Sequence, residues 1–322
     1  MSDDNSSSDC RIPLRNLVNL VQCVRDRVKA QAAKSTSQEA TKLSLAFSKP
    51  PLPSEQDAEK MAESFQKSIL ALSTVYMWFP KSQGMTLRRI IRDATAQVLE
   101  GVVQLIDVIL STPLQSLSQE QLTSTGSVWS SCDQFAHLPK DNQAAVLSLL
   151  TSHIAVVKDA IEEMEQAQTE ALDPFSDVLD DEDLDSRGNR DTYWSESDRQ
   201  LMAPCRGLMK ASAACLRKLT AAVKSNGNVN SSETIAQLDD LADITKDISP
   251  SVDDLALSLY PPMDYSGVQQ NACKVAGVLV KVLEITRASH VCLEADQSWV
   301  EFLSGAVDHN LQKVGALAQG CG

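Results

Sequence analysis

The densest set of side chains that could do chemistry lies between residues 173 and 198, in the sequence DPFSDVLDDEDLDSRGNRDTYWSESD. Its first thirteen residues contain seven acids and no base. Carboxylates in this number could hold a calcium ion, form a catalytic pair, or remain in solvent as a charged connector. Each of these functions needs a different spacing, so the spacing can be used to choose among them.

The spacing of these acids does not fit a calcium-binding loop. Such a loop needs oxygen ligands at positions 1, 3 and 5, glycine at position 6 and a bidentate glutamate at position 12. A loop that starts at Asp181 has Asp183 and Asp185 as its next ligands. It then has Ser186 at position 6 and Thr192 at position 12. A loop that starts instead at Asp183 gains Gly188 at position 6 but has Trp194 at position 12, so neither register is complete.

A catalytic carboxylate pair needs fixed geometry and a pocket that shifts its pKa values. Seven crowded acids repel one another and remain solvated, so residues 173–192 are predicted to form a flexible acidic linker. Tyr193 and Trp194 differ, because a solvated linker has no use for two large rings. We expect these rings to dock at the start of the next helix, on this protein rather than on a partner, although both alternatives remain open.

Within this region, two sets of residues are candidates for regulation. The candidate partner-binding residues are Asp181, Asp183, Asp185, Tyr193 and Trp194. The candidate phosphorylation sites are three serines flanked by acids, which suit an acid-directed kinase: Ser176, Ser186 and Ser195. Added phosphate would extend the repulsion within the linker.

Other residues with chemical potential are scattered. The four histidines form no His-x-x-x-His or Glu-x-x-His pair, and the eight cysteines form no Cys-x-x-Cys. Phosphate loops, dinucleotide glycines and nucleophile elbows are absent from the sequence. We therefore expect no catalytic residue, cofactor or metal. The thiols are expected to be free, as small hydrophobes in the reducing cytosol or nucleus.

Apolar periodicity predicts an all-α fold. The clearest stripe runs from Leu87 to Ile109 and predicts a helix over about 84–111, and a second runs from Val146 to Met164 and predicts one over about 140–171. The expected organisation is a disordered segment 1–9, a five-helix antiparallel bundle 10–172, the acidic linker 173–192 and a four-helix bundle 193–320. Ser54 with Asp57, and Ser195 with Asp198, are predicted to cap helices.

The charge restricts the partners. A formal net charge of −14 makes the chain a poor general binder of nucleic acid or anionic lipid. Its uninterrupted apolar runs are too short to span a membrane, so no membrane contact is expected. The richest basic cluster, Arg88, Arg89 and Arg92, is predicted to be a solvated helix face.

Three Arg-x-Leu triplets, beginning at Arg15, Arg206 and Arg217, could dock in a cyclin groove if extended. All three lie in predicted helices, and their leucines belong to apolar faces. Core packing is therefore the favoured interpretation for each triplet.

Three stretches resemble the cyclin-D-interacting protein family, also called GCIP, Maid or HHM and described as Id-like: VDDLALSLYPP, DTYWSESD after an acidic run, and STVYMWFP. The similarity extends over nearly the whole chain. It implies a non-enzymatic regulator, cytoplasmic and nuclear, that binds D-type cyclins and lowers transcription under retinoblastoma-protein control. It also implies association with helix-loop-helix factors and adaptor proteins.

An Id-like protein would pair through a helical hairpin, and the strongest candidate spans 196–247. Two further amphipathic helices follow it, so we expect an ordinary closed bundle instead of an exposed hairpin. The principal rival function is a vinculin-like or talin-like cytoskeletal or signalling adaptor, a similarity of architecture alone. A helical hydrolase with a carboxylate-bound metal would need inward-facing Glu-x-x-His pairs, which the sequence lacks.

Overall fold

The computed structural model describes residues 12–111, 118–170 and 194–320. These ranges contain α-helices and no β-strand, which confirms the predicted all-α class. The ten α-helices are α1 (Ile12–Ala46), α2 (Glu55–Met77), α3 (Met85–Ser111), α4 (Gln119–Gln134), α5 (Asn142–Glu170), α6 (Glu196–Asn226), α7 (Ser232–Thr245), α8 (Ile248–Ser258), α9 (Tyr265–Ala288) and α10 (Gln297–Gly320). Segments 1–9 and 173–192, for which disorder and a linker are predicted, lie outside these ranges.

The predicted caps form as the sequence indicates. At the start of α2, the Ser54 hydroxyl accepts a hydrogen bond from the Asp57 amide at 3.2 Å. At the start of α6, Ser195 Oγ accepts from the Asp198 amide at 3.1 Å, while Asp198 Oδ2 accepts from the Ser195 amide at 2.7 Å. Both caps satisfy amide groups that a helix N-terminus otherwise leaves without partners.

The chain divides into two compact units. The first comprises residues 1–81 and 88–138, and its described core is built from α1, α2, α3 and α4. The stripe predicted on α3 supplies much of this core: Val98, Val102 and Leu105 are buried together with Phe65 and Leu72 of α2. Polar side chains are also buried in this unit, and they find partners there: Gln121 Nε2 of α4 donates to the Ser44 carbonyl of α1 at 2.8 Å.

The second unit comprises residues 82–87 and 139–322 and contains α5 to α10. The sequence interpretation placed α5 in the five-helix bundle 10–172, whereas its contacts place it against α6, α7 and α8. Its apolar seam, including Val146, Leu150 and Met164, is buried in the same core as Leu201 and Leu208 of α6. The first unit therefore holds four helices and the second six, a different division from five plus four.

The first residues of α3 are held inside the second unit by one aspartate of α7. Asp239 accepts hydrogen bonds from the Met85 amide at 2.7 Å, the Thr86 amide at 2.8 Å and the Thr86 hydroxyl at 2.7 Å. Asn142 of α5 accepts from the Leu87 amide at 3.0 Å and donates to Asp239 at 3.0 Å. The cap of α3 is thus supplied by residues distant in sequence.

Gly84 permits this arrangement. Its φ is +107°, a conformation that L side chains rarely adopt. A Cβ at this position would lie 2.0 Å from Cγ of the Asn142 side chain. Only glycine therefore fits beside the asparagine at the start of α3.

Within the part of the chain that the structure describes, two helices have the length and composition of membrane spans. The most apolar windows of α3 and α5 have mean hydropathies of 1.4 and 1.5, although the uninterrupted apolar runs are short. In this structure the apolar stripe of α3 is buried in the first unit, and that of α5 is buried in the second. Core helices of folded proteins meet the same length and hydropathy criteria.

Candidate interaction surfaces

The acidic stretch lies mostly outside the described residues, and with it most of the candidate residues predicted there: Ser176, Asp181, Asp183, Asp185, Ser186 and Tyr193. Their roles as partner-binding or phosphorylation sites stay predictions. Trp194 and Ser195, at the end of this stretch, are described.

Trp194 docks on its own chain, as the favoured interpretation predicts. Its side chain is buried, with 8% exposed, and belongs to the core of the second unit. Its indole Nε1 donates to the Leu259 carbonyl at 2.6 Å, and its ring lies 6.0 Å from the ring of Tyr260. The carbonyl is at the C-terminal end of α8, so the indole satisfies an acceptor that the helix leaves open. In this conformation the Trp194 ring is occupied by intramolecular contacts.

Ser195 is part of the cap of α6, and this cap is connected to α9. Asp198 Oδ1 accepts a hydrogen bond from the Tyr265 hydroxyl at 2.7 Å, while the other carboxylate oxygen serves the Ser195 amide. A phosphate on Ser195 would place a second anion beside Asp198. It would also convert the hydroxyl that accepts from the Asp198 amide into a bulky phosphate ester. Ser195 itself is exposed, so its hydroxyl is accessible in this structure.

The α6–α7 region does not form an exposed hairpin. Leu208, Leu216 and Leu219 of α6 and Leu238 and Leu241 of α7 are all buried. α6 packs mainly against α10 and α5, and α7 packs mainly against α5 and α9. The prediction of a closed bundle over 196–247 is confirmed.

The described Arg-x-Leu triplets are core elements. Leu208 and Leu219, the third residues of the triplets at Arg206 and Arg217, are fully buried. Arg206 donates to Gln168 Oε1 of α5 at 2.6 Å. Both triplets lie within α6 and contribute packing, as the favoured interpretation predicts; the side chains of the triplet at Arg15 are outside the described set.

Two of the described histidines, His153 and His290, are partnered by polar groups. His153 Nδ1 lies 3.2 Å from the Ser249 hydroxyl, and His290 Nδ1 lies 2.7 Å from Gln237 Oε1. Burial lowers the pKa of both imidazoles from their ordinary value, because the charged form is disfavoured away from water. Among the described residues, no group of three or more His, Cys, Asp or Glu side chains could hold a metal ion.

Sequence reasoning missed an apolar groove in the first unit. It lies between α1 and the end of α2, has a volume of about 480 Å³, and is lined by Val28, Ala71, Thr74, Val75, Trp78 and Phe79. Trp78 is 82% exposed and the adjacent Met77 is 72% exposed. The tryptophan was visible in STVYMWFP, but periodicity alone did not reveal that its ring would remain in solvent.

Basic groups contact Phe79 of this groove and the nearby Tyr76. The Nζ of Lys29 lies 5.2 Å from the centre of the Phe79 ring. The guanidinium carbon of Arg88 lies 4.6 Å from the centre of the Tyr76 ring, and Arg88 also donates to the Phe79 carbonyl. Arg88 is only partly exposed, so the basic cluster predicted as a solvated face is instead partly packed on aromatic rings.

The fold and these surfaces define a class: an all-helical protein of two units, with an exposed apolar groove. Comparison with known families agrees with this class. The N-terminal model of the family described as Grap2 and cyclin-D-interacting matches residues 30–170, and its C-terminal model matches residues 179–284. The chain belongs to this family, which confirms the resemblance found in the sequence.

Individual relatives show the same similarity over nearly the full length. A Cyclin-D1-binding protein 1 homolog of Danio rerio is 61% identical, with 98% of each chain covered. The homolog of Xenopus laevis is 54% identical, covering 96% of this chain and 99% of its own. The Cyclin-D1-binding protein 1 of Homo sapiens is 44% identical, covering 90% of this chain and 83% of its own.

Proposed function

We propose that this protein binds D-type cyclins and, without catalysing a reaction, lowers cell-cycle transcription under retinoblastoma-protein control. The observation that carries the proposal is the family membership, together with 61% identity over 98% of a relative named as a cyclin-D1-binding protein homolog. The proposed mechanism is occupancy: a bound helical scaffold reduces the access of the cyclin–kinase complex to the retinoblastoma protein. We further propose that it acts in both cytoplasm and nucleus.

Helix-loop-helix factors and adaptor proteins are proposed as additional partners. A helix-loop-helix factor would need an apolar helix face to pair with, and those of α6 and α7 are buried in the second unit. Pairing would therefore use a surface other than the 196–247 region in its closed form. Direct contact with nucleic acid or membrane forms no part of the proposal, since the net charge is −14.

The proposal is tested with purified full-length protein. Immobilised cyclin D1 is titrated with the chain, and saturable binding is expected. A reconstituted cyclin D–kinase reaction on a retinoblastoma fragment is then run with increasing amounts of the chain, and the yield of phosphorylated fragment is expected to fall. Absence of saturable binding would contradict the proposed partner, whereas binding without an effect on phosphorylation would contradict the proposed regulatory step.

A further inference from the structure

One histidine ring joins two connections at the same end of the second unit. The His290 amide donates to Gln237 Oε1 of α7 at 2.9 Å, and His290 Nδ1 lies 2.7 Å from the same oxygen. On the other side of the ring, the Asn228 amide donates to His290 Nε2 at 3.3 Å. Asn228 lies between α6 and α7, in the α6–α7 connection (residues 227–231). The ring therefore ties this connection to the segment that follows α9.

These contacts determine which ring nitrogen of His290 carries the proton. A backbone amide can only donate, so Gln237 must direct its oxygen at His290, and Nδ1 donates to that oxygen. The Asn228 amide is also a donor, so Nε2 accepts and carries no hydrogen. Both nitrogens are satisfied by the neutral ring with its proton on Nδ1. A second proton, on Nε2, would face the Asn228 N–H, and that hydrogen bond would be lost.

The charged groups near the ring do not offset this conflict. Burial lowers the pKa of His290 from its ordinary value of 6.5, and Glu233 of α7, which raises it, has the smaller effect. Asp296, before α10, already accepts from the Asn226 side-chain amide at 3.2 Å. Arg287 of α9 is in an ion pair with α10. The neutral ring is therefore favoured in the folded unit.

Both ends of the α6–α7 connection are held by groups other than the His290 ring. At its start, Asn226 Nδ2 donates to a backbone carbonyl after α9 at 2.7 Å. At its end, Ser231 forms a capping box at the start of α7. The residues between these two anchors can leave the ring while α6 and α7 stay folded. Val229, which packs partly buried against the core, would then become more exposed.

We propose that His290 is a pH-sensitive latch: its neutral ring holds the α6–α7 connection closed, and a proton on Nε2 releases this connection at Asn228. The released form is a local opening, in which Val229 leaves the surface of the core and both helices remain folded. The device goes beyond the proposed function, since it requires no partner protein. It gives the second unit a different conformation in acid from the one it has at neutral pH.

The direction of the pH dependence follows from proton linkage. When Asn228 leaves, the ring regains contact with water, so the open form binds a proton at a higher pH than the closed form. The closed form is therefore fully favoured above pH 6.5. Between that value and the pKa of the closed form, the ratio of closed to open molecules is expected to fall about tenfold per pH unit.

The first measurement locates the proton by NMR of the isotopically labelled full-length protein. The His290 signals are identified as those that disappear in His290→Gln. Above pH 6.5, the Nδ1 resonance is expected at the position of a protonated imidazole nitrogen and the Nε2 resonance at that of an unprotonated one. A hydrogen on Nε2 under these conditions would overturn the proposal.

The second measurement is hydrogen exchange of the Asn228 amide, expressed at each pH relative to exchange of an unfolded peptide of the same sequence. Protection of this amide is expected to be constant above pH 6.5 and to fall as His290 titrates. The amide of Leu216, in the buried part of α6, should remain protected throughout. If protection of Asn228 does not change while His290 titrates, the latch is refuted. If Leu216 loses protection in parallel, the helix unfolds and the local release is refuted.

Two variants separate His290 from other titrating groups. His290→Gln replaces the ring by an amide that does not titrate, and His309→Gln removes an exposed histidine of α10 as the matched control. The His309→Gln chain is expected to keep the wild-type pH dependence of Asn228 exchange. The His290→Gln chain is expected to lose it, whether its Asn228 amide is protected or not. A wild-type pH dependence in His290→Gln would assign the effect to another group and contradict the proposal.

Discussion

Replacement of Asp239 by alanine is predicted to destabilise the second unit. The Asp239 carboxylate accepts from the Met85 amide, from the Thr86 amide and hydroxyl, and from Asn142 Nδ2. Alanine would remove the acceptor for all four hydrogen bonds. It would leave the first turn of α3 without its cap and Asn142 with an unpaired donor.

The magnitude follows from the kinds of hydrogen bond that are lost. Removal of an ordinary N-cap costs about 1 kcal/mol, and hydrogen bonds to a charged group contribute about 1.5–3 kcal/mol each. The four bonds share one carboxylate and are partly exposed, so their contributions do not add fully. We expect Asp239→Ala to lower the free energy of unfolding by about 2–4 kcal/mol. Asp239→Asn, which keeps one acceptor oxygen, should lose about half of this.

The assay must report on the second unit alone, because a chain of two units need not unfold in one step. Of the four tryptophans, Trp194 and Trp299 belong to the core of the second unit, whereas Trp78 and Trp129 lie in the first. Urea unfolding followed by tryptophan fluorescence in a Trp78→Phe, Trp129→Phe background therefore reports on the second unit. With a slope of about 2 kcal/mol per molar urea, the expected shift in midpoint is about 1–2 M.

Asp240 provides the matched control. It is the next residue of α7, it is exposed, and no described hydrogen bond or ion pair involves its carboxylate. Asp240→Ala removes the same charge from the same helix and should shift the midpoint by less than about 0.3 M, the range of ordinary surface substitutions. Equal midpoints for Asp239→Ala and Asp240→Ala would refute the assignment of Asp239 as the cap of α3.

Three further predictions concern the same unit. Gly84→Ala should destabilise it by about 2 kcal/mol or more in the urea assay, since the φ of +107° is strained for alanine and the Cβ would meet Asn142. The lowered pKa of His153 means that the unfolded chain binds a proton at higher pH than the folded one. Stability should therefore fall as pH drops below 6.5, and less so in His153→Gln. Burial raises the pKa of Cys205 and Cys215 to about 12, so iodoacetamide at pH 8 should modify the exposed Cys273 and leave both unmodified until denaturant is added, as mass spectrometry of peptides would show.

Local features of the fold could be predicted from the sequence because their causes are local. The apolar stripe from Leu87 to Ile109 predicts a helix over about 84–111, and α3 spans Met85–Ser111. The cap of α6 also follows from residues three apart, Ser195 and Asp198. A period of 3.6 residues and a capping pair each require only a few neighbouring positions.

The division into units could not be predicted in this way, because periodicity identifies a buried face without identifying its partner. The seam of α5 was clear from Val146 to Met164, yet only the fold shows that it packs along α6. Polar side chains mark the same pairing: Gln143 donates to the Val223 carbonyl at 2.8 Å, and Lys210 lies 2.8 Å from Glu165. These pairs are 45 to 80 residues apart, beyond the reach of local patterns.

The closed second unit bears on how any partner helix would be bound. Pairing through α6 and α7 would require exposure of leucines that are now fully buried, and therefore loss of most of the core of that unit. Opening a folded domain costs about 5–15 kcal/mol, and a micromolar complex yields only about 8 kcal/mol. Docking in the α1–α2 groove requires no such opening, since Trp78 is already exposed. The same binding energy therefore produces a tighter complex at the groove than at α6 and α7.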